Sequence, residues 1–438
     1  MKTTAVRLYG KKDLRLETFD LPEPKDTEIL GSVTSDSICM SSYKAAVQGP
    51  DHKRVPDNVA ENPVMIGHEF SITLLKVGKA WRHKYEEGQR YVIQPALNYK
   101  GSLDAPGYSY QYIGGDATHV LIPNEVMEMD CLLPYHGDAS YFGSLSEPMS
   151  CIVGAFRASY HVPTGTYEHR MGILEGGTMA ILAGAGPMGL GAVDLALHGD
   201  RRPRLLVVTD IDDARLARAQ ELFPVEDAAR EGIELRFVNT AAVNDPVQHL
   251  LAFTAPGRDS QENGAIATRT DDQGFDDVLV MAPVRPVVEQ ADRLLGRDGC
   301  MNFFAGPTDP SFSAEINFYD LHYAAHHFVG TSGGNTEDMR ISLQLMEEKR
   351  VNPSIMITHV GGLNAVVDTT LNLPGIPGGK KLIYTGVDMP LTAIDEMAEL
   401  GRSDPFTKDL AEIVARHNGL WNAEAEEYVL KNAPPIQD

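Results

Sequence analysis

Cys39, His68, Glu69 and Glu147 are the side chains whose types and order suggest that this chain can hold a metal ion. Cys39 lies in Ser37-Ile38-Cys39-Met40-Ser41-Ser42, just after a strand-like run, and His68-Glu69 follows Gly67. Glu147 lies in Ser146-Glu147-Pro148-Met149-Ser150-Cys151, which leaves Cys151 as a rival donor nearby. A catalytic zinc takes three or four S, N and O ligands and keeps one position for water or substrate. A thiolate, an imidazole and one or two carboxylates meet that need. Taken singly each is weak, because a lone cysteine is usually a small buried hydrophobe and a His-Glu pair a surface pair.

A second chemistry is written in Gly184-Ala185-Gly186-Pro187-Met188-Gly189. The three glycines supply a tight turn, close backbone approach to a pyrophosphate, and close helix–sheet packing. The following helix start offers free N–H groups and a positive dipole end to phosphate. Asp210 ends the next apolar run, 21 residues after Gly189, where a carboxylate can accept from an adenosine ribose. An acid there favours NAD over NADP, and Arg215 is the nearest base that could accept a 2′-phosphate.

These residues need two kinds of scaffold. The first 155 or so residues read as short strands broken by glycine and proline, such as 5–9, 28–33, 71–77 and 89–93. From about residue 178 the texture changes: apolar runs at 179–183, 205–210, 235–238, 277–281, 301–305 and 327–330 alternate with helical stretches at 190–198 and 213–222. That alternation predicts an α/β fold with a doubly wound parallel sheet beside a β-rich domain. Residues 254–274 are polar and read as a surface insertion. Helices are expected at 339–349 and 363–371, strands at 355–359 and 381–384, and a largely helical tail over the final fifty residues.

Composition limits the function classes. With 43% hydrophobic and 23% charged residues in 438, the chain can bury a large core and is long enough for two domains. The formal net charge of −23 repels nucleic acid and anionic membranes. No apolar run approaches a membrane span and the N-terminus lacks a signal-peptide core, so the cytoplasm is expected. The four cysteines, Cys39, Cys131, Cys151 and Cys300, form no CxxC pair, which argues against a disulfide framework or a cysteine-rich structural zinc lobe.

In combination, Cys39, Gly67-His68-Glu69, Glu147-Pro148, the glycine loop and Asp210 resemble the medium-chain dehydrogenase/reductase family across almost the whole chain, within its polyol and sugar-phosphate branch. The resemblance implies a GroES-like zinc-binding domain at 1–157 and 333–438 around a Rossmann domain at 158–332. It implies Cys39 and His68 as zinc ligands, Glu69 either bound directly or one step removed, and Glu147 at the third protein ligand position. The implied cofactors are one zinc and NAD(H) or NADP(H). Residues 90–125 contain no cysteine, so a second zinc is not expected. The usual Cys-Gly-(Thr/Ser)-Asp becomes Cys39-Met40-Ser41-Ser42, which keeps a hydroxyl at Ser41 for proton transfer, with Lys44 a further step.

The implied substrate pair is a ketose phosphate and a polyol phosphate, L-sorbose 1-phosphate and D-glucitol 6-phosphate. His52-Lys53-Arg54 is the best phosphate-binding cluster in an acidic chain, with His359 and Lys380-Lys381 weaker candidates and Tyr108, Tyr110 and Tyr112 able to line a sugar pocket. The family also implies a homodimer or homotetramer joined near 301–330. Two rivals stand beside this reading: a dehydrogenase for unphosphorylated polyols or secondary alcohols, and a nucleotide-binding sensor without catalysis.

Overall fold

The computed structural model describes residues 1–255 and 273–437, and the polar stretch read as an insertion lies almost wholly outside them. The chain divides into two compact units, Met1–Ser150 with Asn335–Glu348 and Pro353–Asp438, and Cys151–Gly334 with Lys349–Asn352.

In the first unit the alternating run around residue 30 becomes a long strand, Ile29–Ile38, at the centre of a sheet that counts eight strands among the described residues. It pairs antiparallel with Phe70–Val77, His119–Ile122 and Lys380–Tyr384. The register sets Ile38 opposite Lys381 and Asp36 opposite Phe70. Cys39, Glu69 and Lys380 therefore emerge side by side, each at the end of its own strand. The strand expected at 355–359 starts instead at Ile357, because Pro353–Met356 winds into a 3₁₀ turn.

The C-terminal tail forms helices Pro405–Arg416 and Ala423–Asn432, as its spacing of apolar residues suggests. Trp421 is fully buried and donates its indole N–H to the Tyr384 hydroxyl at 2.8 Å. The buried Glu426 carboxylate accepts the backbone N–H groups of Ser140 and Tyr141 at 2.6 and 2.8 Å and the Tyr384 hydroxyl at 3.0 Å. The tail is thus pinned to the strand that carries Lys380.

In the second unit six strands, the inner ones largely buried, make a parallel sheet in the order Glu234–Asn239, Leu205–Asp210, Thr178–Leu182, Phe275–Val280, Leu295–Phe303, His327–Gly330. All five residues of Thr178–Leu182 are buried, as a central parallel strand requires. The first and fourth strands of this sheet in sequence lie at the middle, with order reversal between Thr178–Leu182 and Phe275–Val280, the switch-point pattern of a doubly wound fold. Helix Pro187–His198 opens three residues earlier than its apolar run suggests, since proline is tolerated in a helix's first turn.

Candidate active site

Among the described residues, the group able to hold a metal ion is Cys39, His68 and Glu69, whose ligand atoms all lie within 4.8 Å of one another. His68 and Glu69 are buried and Cys39 is partly so. Cys39 precedes helix Met40–Gln48, while Gly67 lets the chain turn sharply into His68 at φ +89°. A Cβ on Gly67 would meet the Asp116 amide nitrogen at 2.5 Å and Asp36 Oδ2 at 2.6 Å, so both backbone conformation and space require glycine there.

His68 presents its two nitrogens differently. Nδ1 faces the Ser42 hydroxyl at 3.3 Å, whereas Nε2 faces Ser41 Oγ and the Tyr108 hydroxyl, each at 3.2 Å, with Glu69 Oε1 at 4.0 Å. A Ser42 acceptor on Nδ1–H leaves Nε2 free to bind a cation, the usual second partner of a metal-ligating imidazole. Burial holds His68 below its ordinary range, so the ring is neutral and its lone pair available. Burial also raises the Cys39 thiol, opposed by the Lys380 charge. Ser41 donates to Cys39 Sγ at 3.1 Å and accepts from Tyr108 at 2.9 Å. Burial drives the Tyr108 phenol well above its usual range, so it stays protonated and donates.

Glu69 is not an idle carboxylate. Lys380 Nζ donates to its Oε1 at 2.5 Å and Oε2 at 2.7 Å, and Ser37 donates to Oε2. Both members of the ion pair are buried, Glu69 to 1% and Lys380 to 6% exposure. Burial works against the Lys380 ammonium, but Glu69, Cys39 and Glu147 together hold it above the ordinary lysine range. Lys380 therefore binds a carboxylate at the metal-binding group, where the sequence offered it only as a weak phosphate candidate. Lys381 turns away and donates to the carbonyls of Ile376, Pro377 and Gly379.

Glu147 lies in helix Ser146–Ala158, outside the three-residue group but close enough for its charge to act on His68. Burial, reinforced by Glu69, pushes its carboxyl up to about 7. Cys151, its rival, lies outside the group as well. Two further acids have no counterpart in sequence reasoning. Asp36 accepts the Glu69 backbone N–H at 3.0 Å, and Asp116 is pushed up to about 7 by burial. A buried aspartate on a strand that reads as half-apolar was the available signal.

The basic loop separates into different roles. Lys53 is exposed, while His52 and Arg54 are half-buried against Tyr108. The His52 ring stacks on Tyr108 with centroids 5.8 Å apart, and the Arg54 guanidinium carbon lies 5.4 Å from the same ring centroid. Tyr110 and Tyr112 instead pack against the apolar core beneath the central sheet. His359 is held by Thr358 at 2.9 Å and pulled down to about 4 by burial.

In the second unit the glycine loop takes the form its spacing implies. Gly186 caps helix Pro187–His198, and a Cβ there would meet nothing within 4 Å, leaving backbone exposed to a ligand. A Cβ on Gly189 would collide with the Gly184 carbonyl, so that glycine serves helix–strand contact. Asp210 accepts from Ile211 N at 2.8 Å and from Ala185 N at 3.3 Å, tying the second strand's end to the loop. Asp212 caps the next helix by accepting from the backbone N–H groups of Ala214 and Arg215, so this acid is spent on the helix start.

No family model matches the chain. It is 51% identical over 434 residues to L-sorbose 1-phosphate reductase of Klebsiella pneumoniae, covering 99% of this chain and 98% of that one. It is 50% identical to mannitol-1-phosphate 5-dehydrogenase of Aliivibrio fischeri, covering 98% of each. An uncharacterized Escherichia coli K12 protein, YggP, is 52% identical over 98% of this chain and 97% of its own. Among solved structures, 2R,3R-butanediol dehydrogenase of Bacillus subtilis superposes with a TM-score of 0.68 at 20% identity, covering 87% of this chain and 99% of that one. An alcohol dehydrogenase of Thermotoga maritima gives a TM-score of 0.65 at 17% identity over 88% and 99%.

Proposed function

The chain belongs to the medium-chain dehydrogenase/reductase family, in its zinc-dependent alcohol and polyol dehydrogenase branch, and from that premise we propose that it interconverts a ketose phosphate and a polyol phosphate with NAD(H) or NADP(H). The observation that carries the reading is the buried group of one thiol, one imidazole and one carboxylate within 4.8 Å, flanked by the hydroxyls of Ser41 and Tyr108.

That donor set fits a catalytic zinc, with Cys39 Sγ and His68 Nε2 as ligands, and Glu147 and Glu69 as further carboxylates. Glu69 already shares its charge with Lys380 and Ser37, which favours a place behind the ligands over permanent coordination. A zinc ion there supplies Lewis acidity toward the substrate oxygen during hydride transfer. The chain's own residues do the rest. Ser42 fixes the His68 tautomer, and the Ser41 hydroxyl, bonded to protonated Tyr108, carries a proton to or from the substrate oxygen. The first unit is the catalytic, GroES-like domain. The second binds the dinucleotide through Gly184, Gly186, Pro187, Met188 and Gly189, with Asp210 at the ribose and a bias toward NAD. We also propose a homodimer or homotetramer acting in the cytoplasm. Among the described residues no helix is long and apolar enough to cross a membrane.

The relatives' names set the substrate class: both act on phosphorylated six-carbon sugars or polyols. Consumption of NADH and NADPH should be followed with L-sorbose 1-phosphate beside L-sorbose, fructose and simple ketones. The expected result is a kcat/KM at least about 100-fold higher for the phosphorylated ketose, the effect of one well-formed charge-assisted site. Turnover of the free ketoses alone would replace this reading with that of an unphosphorylated polyol dehydrogenase, and turnover of nothing would favour a nucleotide-binding sensor.

A further inference from the structure

We propose that Arg54 is the residue that reads the substrate's phosphate, and that it selects a phosphate ester on the carbon next to the reacting carbon. The inference rests on the polyol-phosphate reading and adds a residue and a position to it. Tyr108 links the two halves of the argument. Its hydroxyl stands 3.2 Å from His68 Nε2 and 2.9 Å from Ser41 Oγ, while the Arg54 guanidinium carbon lies 5.4 Å from its ring centroid. The hydroxyl of one phenol ring therefore meets the metal-binding group while a positive charge lies over the face of the same ring.

The loop holds Arg54 in place. Its amide N–H donates to His52 Nδ1 at 3.3 Å and its carbonyl accepts from the Ser109 hydroxyl at 2.7 Å. Its guanidinium makes no ion pair with any described residue, in a chain of net charge −23 where acids are plentiful. A half-buried arginine without a carboxylate beside a reactive centre is prepared for an anion from outside, and its planar fork matches phosphate. His52, on the same ring, is pulled down to about 4 by burial and then by Arg54, Lys53 and Lys44, so at neutral pH it adds hydrogen bonding without charge. Lys53 is exposed, which leaves Arg54 as the cation of this triplet that faces Tyr108.

Position follows from reach. In a 2-ketose 1-phosphate the ester is on the carbon adjacent to the carbonyl. The other relative's name places phosphate on carbon 1 and oxidation at carbon 5, four carbons away. Because Arg54 and the reacting centre share a single side chain, Tyr108, we assign Arg54 the adjacent ester over the distant one.

The test is steady-state kinetics of the metal-loaded enzyme with L-sorbose 1-phosphate, D-fructose 6-phosphate and free L-sorbose. For wild type, the 1-phosphate should be preferred over both. Arg54→Gln should lower the ratio of kcat/KM for L-sorbose 1-phosphate to that for L-sorbose by about 100-fold, mainly through KM, with Arg54→Lys intermediate. Competitive inhibition by inorganic phosphate should weaken in parallel, and Lys53→Gln should move the ratio by less than about threefold, as expected for an exposed charge. A wild-type ratio at or below one would overturn the phosphate reading itself, and this proposal with it. A wild-type preference for phosphate that survives Arg54→Gln, or falls equally in Lys53→Gln, would overturn the Arg54 assignment alone. A wild-type preference for D-fructose 6-phosphate would overturn the adjacent-carbon assignment.

Discussion

Cys39→Ser is expected to lower kcat/KM by about 10³-fold or more while leaving dinucleotide affinity within about threefold of wild type. The size follows from the several kcal/mol that Lewis-acid stabilisation contributes, at 1.36 kcal/mol per tenfold in rate. Serine keeps the shape of the side chain but gives up the thiolate, the soft donor among Cys39, His68 and Glu69. The glycine loop proposed to hold the dinucleotide, Gly184–Gly189, lies in the other unit, so binding of NADH measured by fluorescence titration separates loss of chemistry from loss of fold. Metal content should fall with activity. A Cys39→Ser protein that keeps both its metal and its turnover would remove Cys39 from the site.

Lys380→Met should be the most damaging single change to the stability of the first unit, at about 3–5 kcal/mol, the range for stripping one partner from a buried ion pair. The cause is electrostatic. Glu69 is 1% exposed and its two oxygens lie 2.5 and 2.7 Å from the ammonium, so removing the lysine leaves a buried carboxylate beside Cys39 and Glu147 with no counter-charge. The double variant Lys380→Met/Glu69→Gln should recover most of the loss, because no buried charge is then unpaired. Urea unfolding of the metal-free proteins, followed by the fluorescence of Trp81 and Trp421, both in that unit, reads both values. A loss under about 1 kcal/mol in the single variant would mean the pair is not a structural requirement.

What was legible in the sequence is what local chemistry dictates. The glycine loop, its helix and Asp210 lie within a short span, and each residue's task follows from strand–turn–helix geometry. The strand Leu205–Asp210 and the helix Asp213–Leu222 have the bounds their apolar spacing implies. Cys39, His68 and Glu69 were nameable because metal chemistry restricts residue types. The Lys380–Glu69 pair was not, because its members are 311 positions apart and meet only through the register of three strands. Asp36 was missed for the same reason: its task is to hold the Glu69 amide across a strand pair. The tail's function was equally hidden, since Glu426 and Trp421 gain meaning only from Tyr384, Ser140 and Tyr141, which arrive from other parts of the chain. The His52-Lys53-Arg54 triplet was found as a cluster, but its division into a stacked imidazole, an exposed lysine and an arginine facing Tyr108 required coordinates.

The central claim is that Cys39 and His68 hold one catalytic zinc in the first unit. X-ray absorption at the zinc edge, with elemental analysis of the same purified protein, tests it most directly. The expected result is about one zinc per chain with a single sulfur neighbour at about 2.3 Å and nitrogen or oxygen neighbours at about 2.0–2.2 Å, and loss of the sulfur shell in Cys39→Ser. Protein that carries no zinc, or zinc in a shell without sulfur, would contradict it.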